Sequence, residues 1–493
     1  MAEPSPEKEI EGPYVVPDGW IWTTIGSLFE LKYGKGLVKE KRNPNGGYVV
    51  FGSGGVVGKH DSAISSGQSI IIGRKGSVGE ISLSNERCWP IDTTYYIDYY
   101  PLNIPIKYWS FQLKYLVLGQ HDTSTAIPGL NRNDVYDIKV PLPPLPEQHR
   151  IVAKLEALLA QVNRSKDHLA KVPPLIKRFR QRVLAAARSG RLTEDWRREH
   201  RDVEPASELL NRIGEERVRR YEVACQKAEA EGRSKPKKPK NLEPQVVDTE
   251  GLPELPEAWV WTKLGDVNET TSGGTPKRSN KDYYGGDIPW LKSGELEDNV
   301  ITKAEETITE LGLKKSSAKI FPTGTLLIAL YGATVGKTGK LAIESATNQA
   351  ICGIFNDDQV FYDQYLWHYL ISFRNNLIEK SFGGAQPNIS QGIIQNLNVP
   401  LPPLPEQCFI VEQVETLFHF ADEVEQRVTA AATHTNHLSQ SILSRAFRGE
   451  LVPQYPRGEP AGVLLERIKQ ERAKNEMEKK TGKRKTKTRL DYC

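Results

Sequence analysis

Two stretches of this chain carry apolar residues at alternating spacings of three and four. One begins near Ile410 and runs Val414, Leu417, Ala421, Val424, Val428, Ala431, Thr435, Leu438, Ile442. Sustained over four heptads, this pattern predicts a long helix with a single apolar stripe, the seam of a coiled coil. A helix over residues 405–447 would extend roughly 60 Å at 1.5 Å per residue. Moving back 259 positions gives Leu155, Leu158, Val162, Ser165, Leu169, Val172, Ile176, Phe179 and Val183, in the same register. A stripe of this length needs a partner, and the other copy is the nearest candidate. Pro173 and Pro174 fall inside the first stretch, where missing donors and ring crowding predict a kink or break, with the seam resuming at Ile176. Pro146 and Pro405 stand where a first helical turn tolerates proline, each followed by a glutamate at the favourable end of the helix dipole.

The pattern changes upstream of each helix. Residues 68–73 (QSIIIG) and 325–330 (TLLIAL) are short apolar runs bounded by glycine, which suits buried strands. Each passes into a polar glycine loop. Residues 362–380 place Tyr365, Leu366, Tyr369, Leu370 and Phe373 on one helical face. Both regions therefore read as β-rich with some helix.

The chain is a duplicated unit. Residues 140–148 read VPLPPLPEQ, and residues 399–407 repeat them letter for letter. Trp20-Ile21-Trp22-Thr23 with Gly26 answers Trp259-Val260-Trp261-Thr262 with Gly265, and LLNRIGEER after Ala206 answers LLERIKQER after Ala461. Between tryptophan motif and hinge few letters match, and the two spans differ by 20 residues. A shared scaffold presenting two different recognition surfaces accounts for this better than drift, which would also have eroded the hinge and helices. The PxxP letters of the hinge precede a helix and read as a stiff joint, not as an SH3 ligand.

Length, 493 residues, is consistent with at least two domains. A net charge of +4 does not by itself mark a nucleic-acid partner, so basic groups would have to be concentrated locally. No apolar run is long enough for a membrane span, the first residues do not resemble a signal peptide, and the five cysteines show no zinc or redox spacing. A reduced cytoplasmic protein is expected.

Candidate catalytic motifs fail on their chemistry. Gly332 to Thr338 resembles a phosphate-binding loop, but three residues instead of four separate its glycines, and Tyr331 stands where the first glycine belongs. The glycines around Ser53 lack a strand–helix frame. No Asp/Asn-Pro-Pro-aromatic tetrapeptide of an adenine methyltransferase occurs, and no nuclease-type acidic pair with lysine is evident. His434 and His437 share a helix face without a third metal ligand in view. What remains are polar loops suited to DNA. Arg74, Lys75 and Ser77 form one; Thr275 and Lys277 form another before Tyr283-Tyr284, with Lys292 beyond; Tyr331 and Thr334 form a third. Gln386 and Asn388 flank a proline, with Asn131-Arg132 at the expected matching place of the first copy, where amides suit adenine. Each loop alone reads equally well as a solvent-exposed turn.

The repeated PLPPLPEQ before a heptad helix ending in Ser189-Gly190-Arg191-Leu192 or Arg448-Gly449-Glu450-Leu451, together with SGGTPKRSNKDYYGGDIPWLKSGEL at 272–296, resembles the specificity subunits of type I restriction–modification enzymes over almost the full length. The resemblance implies an α+β chain with two β-rich target recognition domains alternating with two long helical spacers packed as an antiparallel coiled coil. The parts would be a first recognition domain (1–145), a first long helical region (146–190), a charged helical extension and basic linker (191–250), a second recognition domain (251–404), a second long helical region (405–450) and a charged basic C-terminal extension (451–493). It further implies a non-catalytic, sequence-specific reader of a bipartite, asymmetric double-stranded DNA site. Two methyltransferase subunits would act on adenine N6 and two restriction subunits would translocate and cleave. S-adenosylmethionine, ATP and magnesium would be bound by those partners, none by this chain. Two features depart from the simplest family plan: the Pro173-Pro174 interruption, and the extensions, whose lysine-rich ends suit DNA phosphates, partner subunits or solvent. The competing readings are a coiled-coil scaffold whose domains bind proteins and, disfavoured by the missing tetrapeptide, a self-contained methyltransferase.

Overall fold

The computed structural model describes residues 10–116, 129–239, 241–242, 247–379, 388–455 and 458–490, of which 479–490 are described by their backbone alone. The chain is α+β and forms two compact units that are not its two sequence halves: Met1–Lys171 with Val428–Cys493, and Val172–Arg427.

In the first unit the buried strand Ser69–Gly73 lies between Thr94–Ile97 and Ile81–Ser84, with Lys32–Tyr33 at the edge beyond Thr94–Ile97. All five residues of Ser69–Gly73 are buried, so its sequence reads as a continuous apolar run instead of alternating. A three-stranded sheet joins Gly55–His60, Tyr48–Gly52 and Cys88–Pro90. In the second unit the equivalent strand Leu326–Ala329 lies between Ile351–Phe355 and Thr338–Leu341, with Glu269–Ser272 and Asn299–Ile301 at the two edges. A four-stranded sheet of Glu306–Ile308, Tyr284–Leu291, Ser345–Thr347 and Ile320–Phe321 completes it.

The repeated motifs are structural. In each unit the strand that follows the first tryptophan of the repeated motif pairs antiparallel with the hinge strand, Ile21–Thr24 with Lys139–Leu142 and Val260–Lys263 with Asn398–Leu401. The hinge then enters a long helix, α1 (Leu145–Ala170) in the first copy. The ladder is interrupted at Lys171 and resumes in α2 (Val172–Arg188). That break puts Pro173 and Pro174 in a first turn, where their missing N–H groups have no intrahelical acceptor to lose. After α2, Gly190 turns the chain with φ 72°, and a third helix, α3 (Ala206–Ala230), follows. The second copy has one uninterrupted helix, α4 (Leu404–Phe447), then Gly449 with φ 77° and α5 (Ala461–Leu490).

Each unit is completed by segments of the other copy. The core of the first unit, centred on Phe29, Tyr108 and Trp109, includes Leu155 and Val162 of α1, Ile442 and Phe447 of α4, and Leu464 and Ile468 of α5. The core of the second includes Val183 and Leu184 of α2, Leu209 and Ile213 of α3, and Ile410 and Val414 of α4. Arg180 of α2 pairs with Asp422 and Glu425 of α4, while Leu184 and Ala187 lie beside Ile410, so within this unit the two helices run antiparallel. The extensions are thus built into the fold at their starts. Arg217 of α3 donates to the carbonyls of Asp266 and Val267 at 2.6 and 3.2 Å, and Arg472 of α5 donates to Gly26 O at 2.7 Å.

His368, on the helix Asp363–Glu379, sits edge-on to Phe418 with neither ring nitrogen hydrogen-bonded among the described residues. Burial lowers its pKa to about 4. The unfolded chain therefore takes up this proton first, and stability is lost as pH falls from the ordinary histidine value towards 4, by up to about 3 kcal/mol. His368→Leu is expected to flatten this part of the pH dependence. Urea unfolding at pH 7.5 and 5 checks it, and parallel losses in both proteins would remove histidine from the account.

Candidate nucleic-acid interface

At the end of the buried strand of the first unit the chain doubles back through Arg74, Lys75, Gly76 and Ser77. Only glycine fits at position 73, because a Cβ there would stand 2.0 Å from the carbonyl oxygen of Ser77. The amides of Arg74 and Lys75 donate to Thr93 O at 2.9 and 3.2 Å. Leu130 N donates to Arg74 O at 2.9 Å, and Lys75 pairs with Gly129 in an isolated antiparallel bridge. Asn131 then caps the helix Arg132–Asp137, its side-chain oxygen accepting from Asn133 N at 2.9 Å.

This frame gathers cations on aromatic rings. The guanidinium of Arg132 lies 5.1 Å from the Tyr33 ring centre, and that of Arg74 lies 5.5 Å from the same ring and 5.8 Å from Tyr95. Tyr95 donates its hydroxyl to Leu130 O at 3.0 Å, and burial, reinforced by Tyr33, pushes that hydroxyl up to about 12. Arg74 spends one N–H on Asp92 O. Among the described residues neither arginine nor Lys75 forms an ion pair. Lys75 and Ser77 are exposed. Charge without a carboxylate, spread over an aromatic wall, is an arrangement that accepts phosphates or base edges.

The second unit repeats the frame with other side chains. Leu330 N donates to Ala350 O, Ile389 N donates to Leu330 O at 2.8 Å, and Tyr331 pairs with Asn388 in the bridge. Ser390 caps the helix Gln391–Gln395. Asn388 therefore matches Gly129, and Asn131 matches Ser390. Asn131-Arg132 does not stand at the place of Asn388, as expected from residue chemistry, but two and three positions further along the frame. Gln391 takes the place of Arg132 and is internally bonded, donating to Thr270 O at 2.8 Å and accepting from Ser272 Oγ at 3.0 Å.

The remaining candidates of this unit lie on separate loops. Thr275 hydrogen-bonds Gln349. Lys277 is exposed, and its neighbour Arg278 pairs with Glu306 at 2.6 Å while lying 4.6 Å from the Tyr284 ring and 4.9 Å from the Trp290 ring. Lys292 is met by Glu305 and Glu306, both at 3.1 Å. Tyr331 is 38% exposed and opens the turn that contains Thr334. Beside that turn Lys337 pairs with Glu297, and Arg374, bonded to Gly336 O, pairs with Asp298. Burial would raise the Asp298 carboxyl, but Arg374 and Thr338 hold it below the ordinary aspartate value. Gln386 lies outside the described residues. Tyr33 and Gln391 emerge only from the fold: one sits on a two-residue strand, the other is an unremarked glutamine in a short helix. Among the described residues no cluster of three or more His, Cys, Asp or Glu is placed to hold a metal.

A family model described as the type I restriction modification DNA specificity domain matches residues 17–172 and 256–434. The chain belongs to the type I specificity subunit family. Its relatives include the specificity subunits of the Escherichia coli type I restriction enzymes EcoDI, 27% identical with 93% of this chain and 96% of that one covered, and EcoBI, 28% identical with 95% of each covered. The StySPI specificity subunit of Salmonella potsdam is 30% identical, with 71% and 68% covered. Among solved structures, the HsdS subunit from Thermoanaerobacter tengcongensis aligns with TM-score 0.51 at 21% identity over 89% of this chain and 99% of that one. A chain from a study of complex assembly and conformational transition in the type I R-M system aligns with TM-score 0.58 at 20% identity, covering 89% and 100%. Both show the shared fold.

As a specificity subunit the chain is a non-catalytic DNA-recognition protein, and the protein-binding scaffold reading is not favoured. Both family matches contain the paired tryptophan and hinge strands, the strand-end loops and at least the start of a long helix. No described helix is long and apolar enough to cross a membrane.

Proposed function

We propose that each unit of this specificity subunit reads one half of a bipartite, asymmetric site in double-stranded DNA, with α1, α2 and α4 acting as an antiparallel coiled-coil spacer that sets the length of unread sequence. The observation that carries this reading is the doubled frame: one strand, bridge and capped helix in each unit, fitted with different exposed side chains. Identical frames with different chemistry suit two different half-sites. The candidate contacts are Arg74, Lys75, Ser77, Asn131 and Arg132 from one copy, and Thr275, Lys277, Lys292, Tyr331, Thr334, Gln386 and Asn388 from the other.

The work on DNA would fall to partners, two methyltransferase subunits that flip and methylate adenine N6 and two restriction subunits, in the cytoplasm. S-adenosylmethionine, ATP and magnesium would be bound by them. The paired carboxylates of this chain, such as Glu306 and Asp298, already answer arginine or lysine and are ill suited to a metal.

Single-molecule methylation mapping of cells with the cognate methyltransferase subunit, with and without this chain, tests the reading. Loss of N6-methyladenine at one bipartite motif is the expected result. An unchanged map with active methyltransferase would refute it.

A further inference from the structure

We propose that the two units read their half-sites by different chemistry: the first with Arg132 on a guanine and Lys75 on a phosphate, the second with the neutral amide of Asn388 on an adenine. This rests on the DNA-reading function proposed above.

Because the bridges and backbone hydrogen bonds of the two frames correspond position by position, the substitutions between them can be compared directly. Tyr33 and Ser272 pair with Tyr95 and Cys352 respectively on the neighbouring strand. In the first unit, therefore, two aromatic rings face the arginines. In the second, a hydroxyl and a thiol occupy those places. The arginine pair shares the Tyr33 ring, a contact that consumes no N–H donor. The buried Nε of each arginine is unpartnered among the described residues, but Arg74 gives another donor to Asp92 O, whereas Arg132 makes no hydrogen bond there. A guanidinium held this way matches the two acceptors, N7 and O6, on the major-groove edge of guanine. Across the bridge from Lys75 stands Gly129, with no side chain to obstruct a backbone phosphate.

The second unit has removed this charge. Leu330, fully buried, replaces Arg74, and Gln391, already bonded to Thr270 and Ser272, replaces Arg132. Lys337 and Arg374 beside the turn are neutralised by Glu297 and Asp298. What the frame leaves exposed is Tyr331 and Asn388. An amide, with one donor and one acceptor side by side, matches adenine N6 and N7.

The test uses the complex of this chain with its methyltransferase subunits, on duplexes carrying the motif found by methylation mapping. Binding is followed by fluorescence anisotropy across a salt series. Lys75→Gln is expected to lower the slope of log affinity against log salt by about one. Arg132→Lys, which keeps the charge and loses the fork, should leave the slope intact and relax discrimination at one guanine of the first half-site, by on the order of tenfold to a hundredfold. Asn388→Ala should relax an adenine of the other half-site with the slope unchanged. Thermal melts matching the wild type establish that the variants are folded. Where a melt falls below the wild type, Arg132→Gln and Asn388→Ser serve as second substitutions at the same positions. Retention of the full motif by both Arg132 variants, or a salt slope that falls with Asn388→Ala, overturns the assignment. A motif that does not depend on this chain at all overturns the DNA-reading function as well, so the two failures are distinguishable.

Discussion

Residues 172–427 are expected to fold alone, and residues 1–171 are not. The hydrophobic core of the second unit is drawn entirely from within 172–427, including α2, α3, the β-sheets, the helix Asp363–Glu379 and the first half of α4. Residues 1–171 lack part of their own core. Ile442, Phe447, Leu464, Leu465 and Ile468 pack with Phe29, Tyr108 and Trp109 and are all more than nine-tenths buried. At roughly 1.5–3 kcal/mol for each large apolar side chain removed from water, these five contribute on the order of 10 kcal/mol. That is comparable with the whole stability of a typical domain, about 5–15 kcal/mol. Phe447 is held further by the edges of Tyr108 at 5.6 Å and by a hydrogen bond from the Tyr14 hydroxyl to its carbonyl. The fragment 172–427 should give a cooperative urea transition and a dispersed amide spectrum. Residues 1–171 should aggregate or bind hydrophobic dyes, and co-expression with residues 428–493 should rescue them. A monomeric, well-dispersed 1–171 would show that the segments from the second copy are accessory to that core.

The same separation along the chain hides this part of the core from any local pattern. The helices, the glycine-bounded strands and the duplication were legible because each is a local pattern: a spacing of three and four, an apolar run, a repeated string. The helix interruption at Lys171 was legible for the same reason, since proline acts on its own turn. That α5 belongs to the core around Trp20 was not legible, because Ala461 N meets Gly19 O across more than four hundred residues and no local signal encodes it. The extensions therefore read as charged appendages although their first turns are packed.

Among the candidate contacts, residue chemistry sets Asn131-Arg132 against Gln386 and Asn388, and the fold does not. The offset of 259 that superposes the hinges would have matched Asn388 to Gly129, as the bridges do. Lys292 reads as a free cation in sequence, and only the fold brings Glu305 and Glu306 to it. Tyr33, which carries both arginines of the first unit, lies on a two-residue strand with no pattern of its own.

The hinge glutamates, identical in sequence, are expected to differ sharply when changed to glutamine. Each is buried at the start of a long helix and accepts the indole N–H of the first tryptophan of its copy of the repeated motif, Glu147 from Trp20 at 3.0 Å and Glu406 from Trp259 at 2.7 Å. The other carboxylate oxygen meets different company. Glu406 receives Thr193 at 2.6 Å and the Arg197 guanidinium at 2.5 Å, so glutamine would turn an NH2 group towards a cation and leave that cation without its counter-charge. Breaking a buried pair in this way costs about 3–5 kcal/mol. Glu147 receives the neutral amide of Gln454 at 2.7 Å, whose NH2 group also donates to Gly449 O at 2.8 Å; glutamine there disturbs these bonds but strands no charge, so Glu147→Gln should cost less, about 1–2 kcal/mol. Burial raises the Glu147 pKa despite these hydrogen bonds. A carboxyl with a raised folded pKa contributes stability below its ordinary value and loses it as pH rises through the raised one. The wild type should therefore lose ground to Glu147→Gln between mildly acidic and neutral pH. Urea unfolding of Glu406→Gln in the fragment 172–427, and of Glu147→Gln in the full chain at two pH values, measures both. Equal losses at the two hinges would mean that the shared tryptophan bond, and not the differing partners, sets the energy of the clamp.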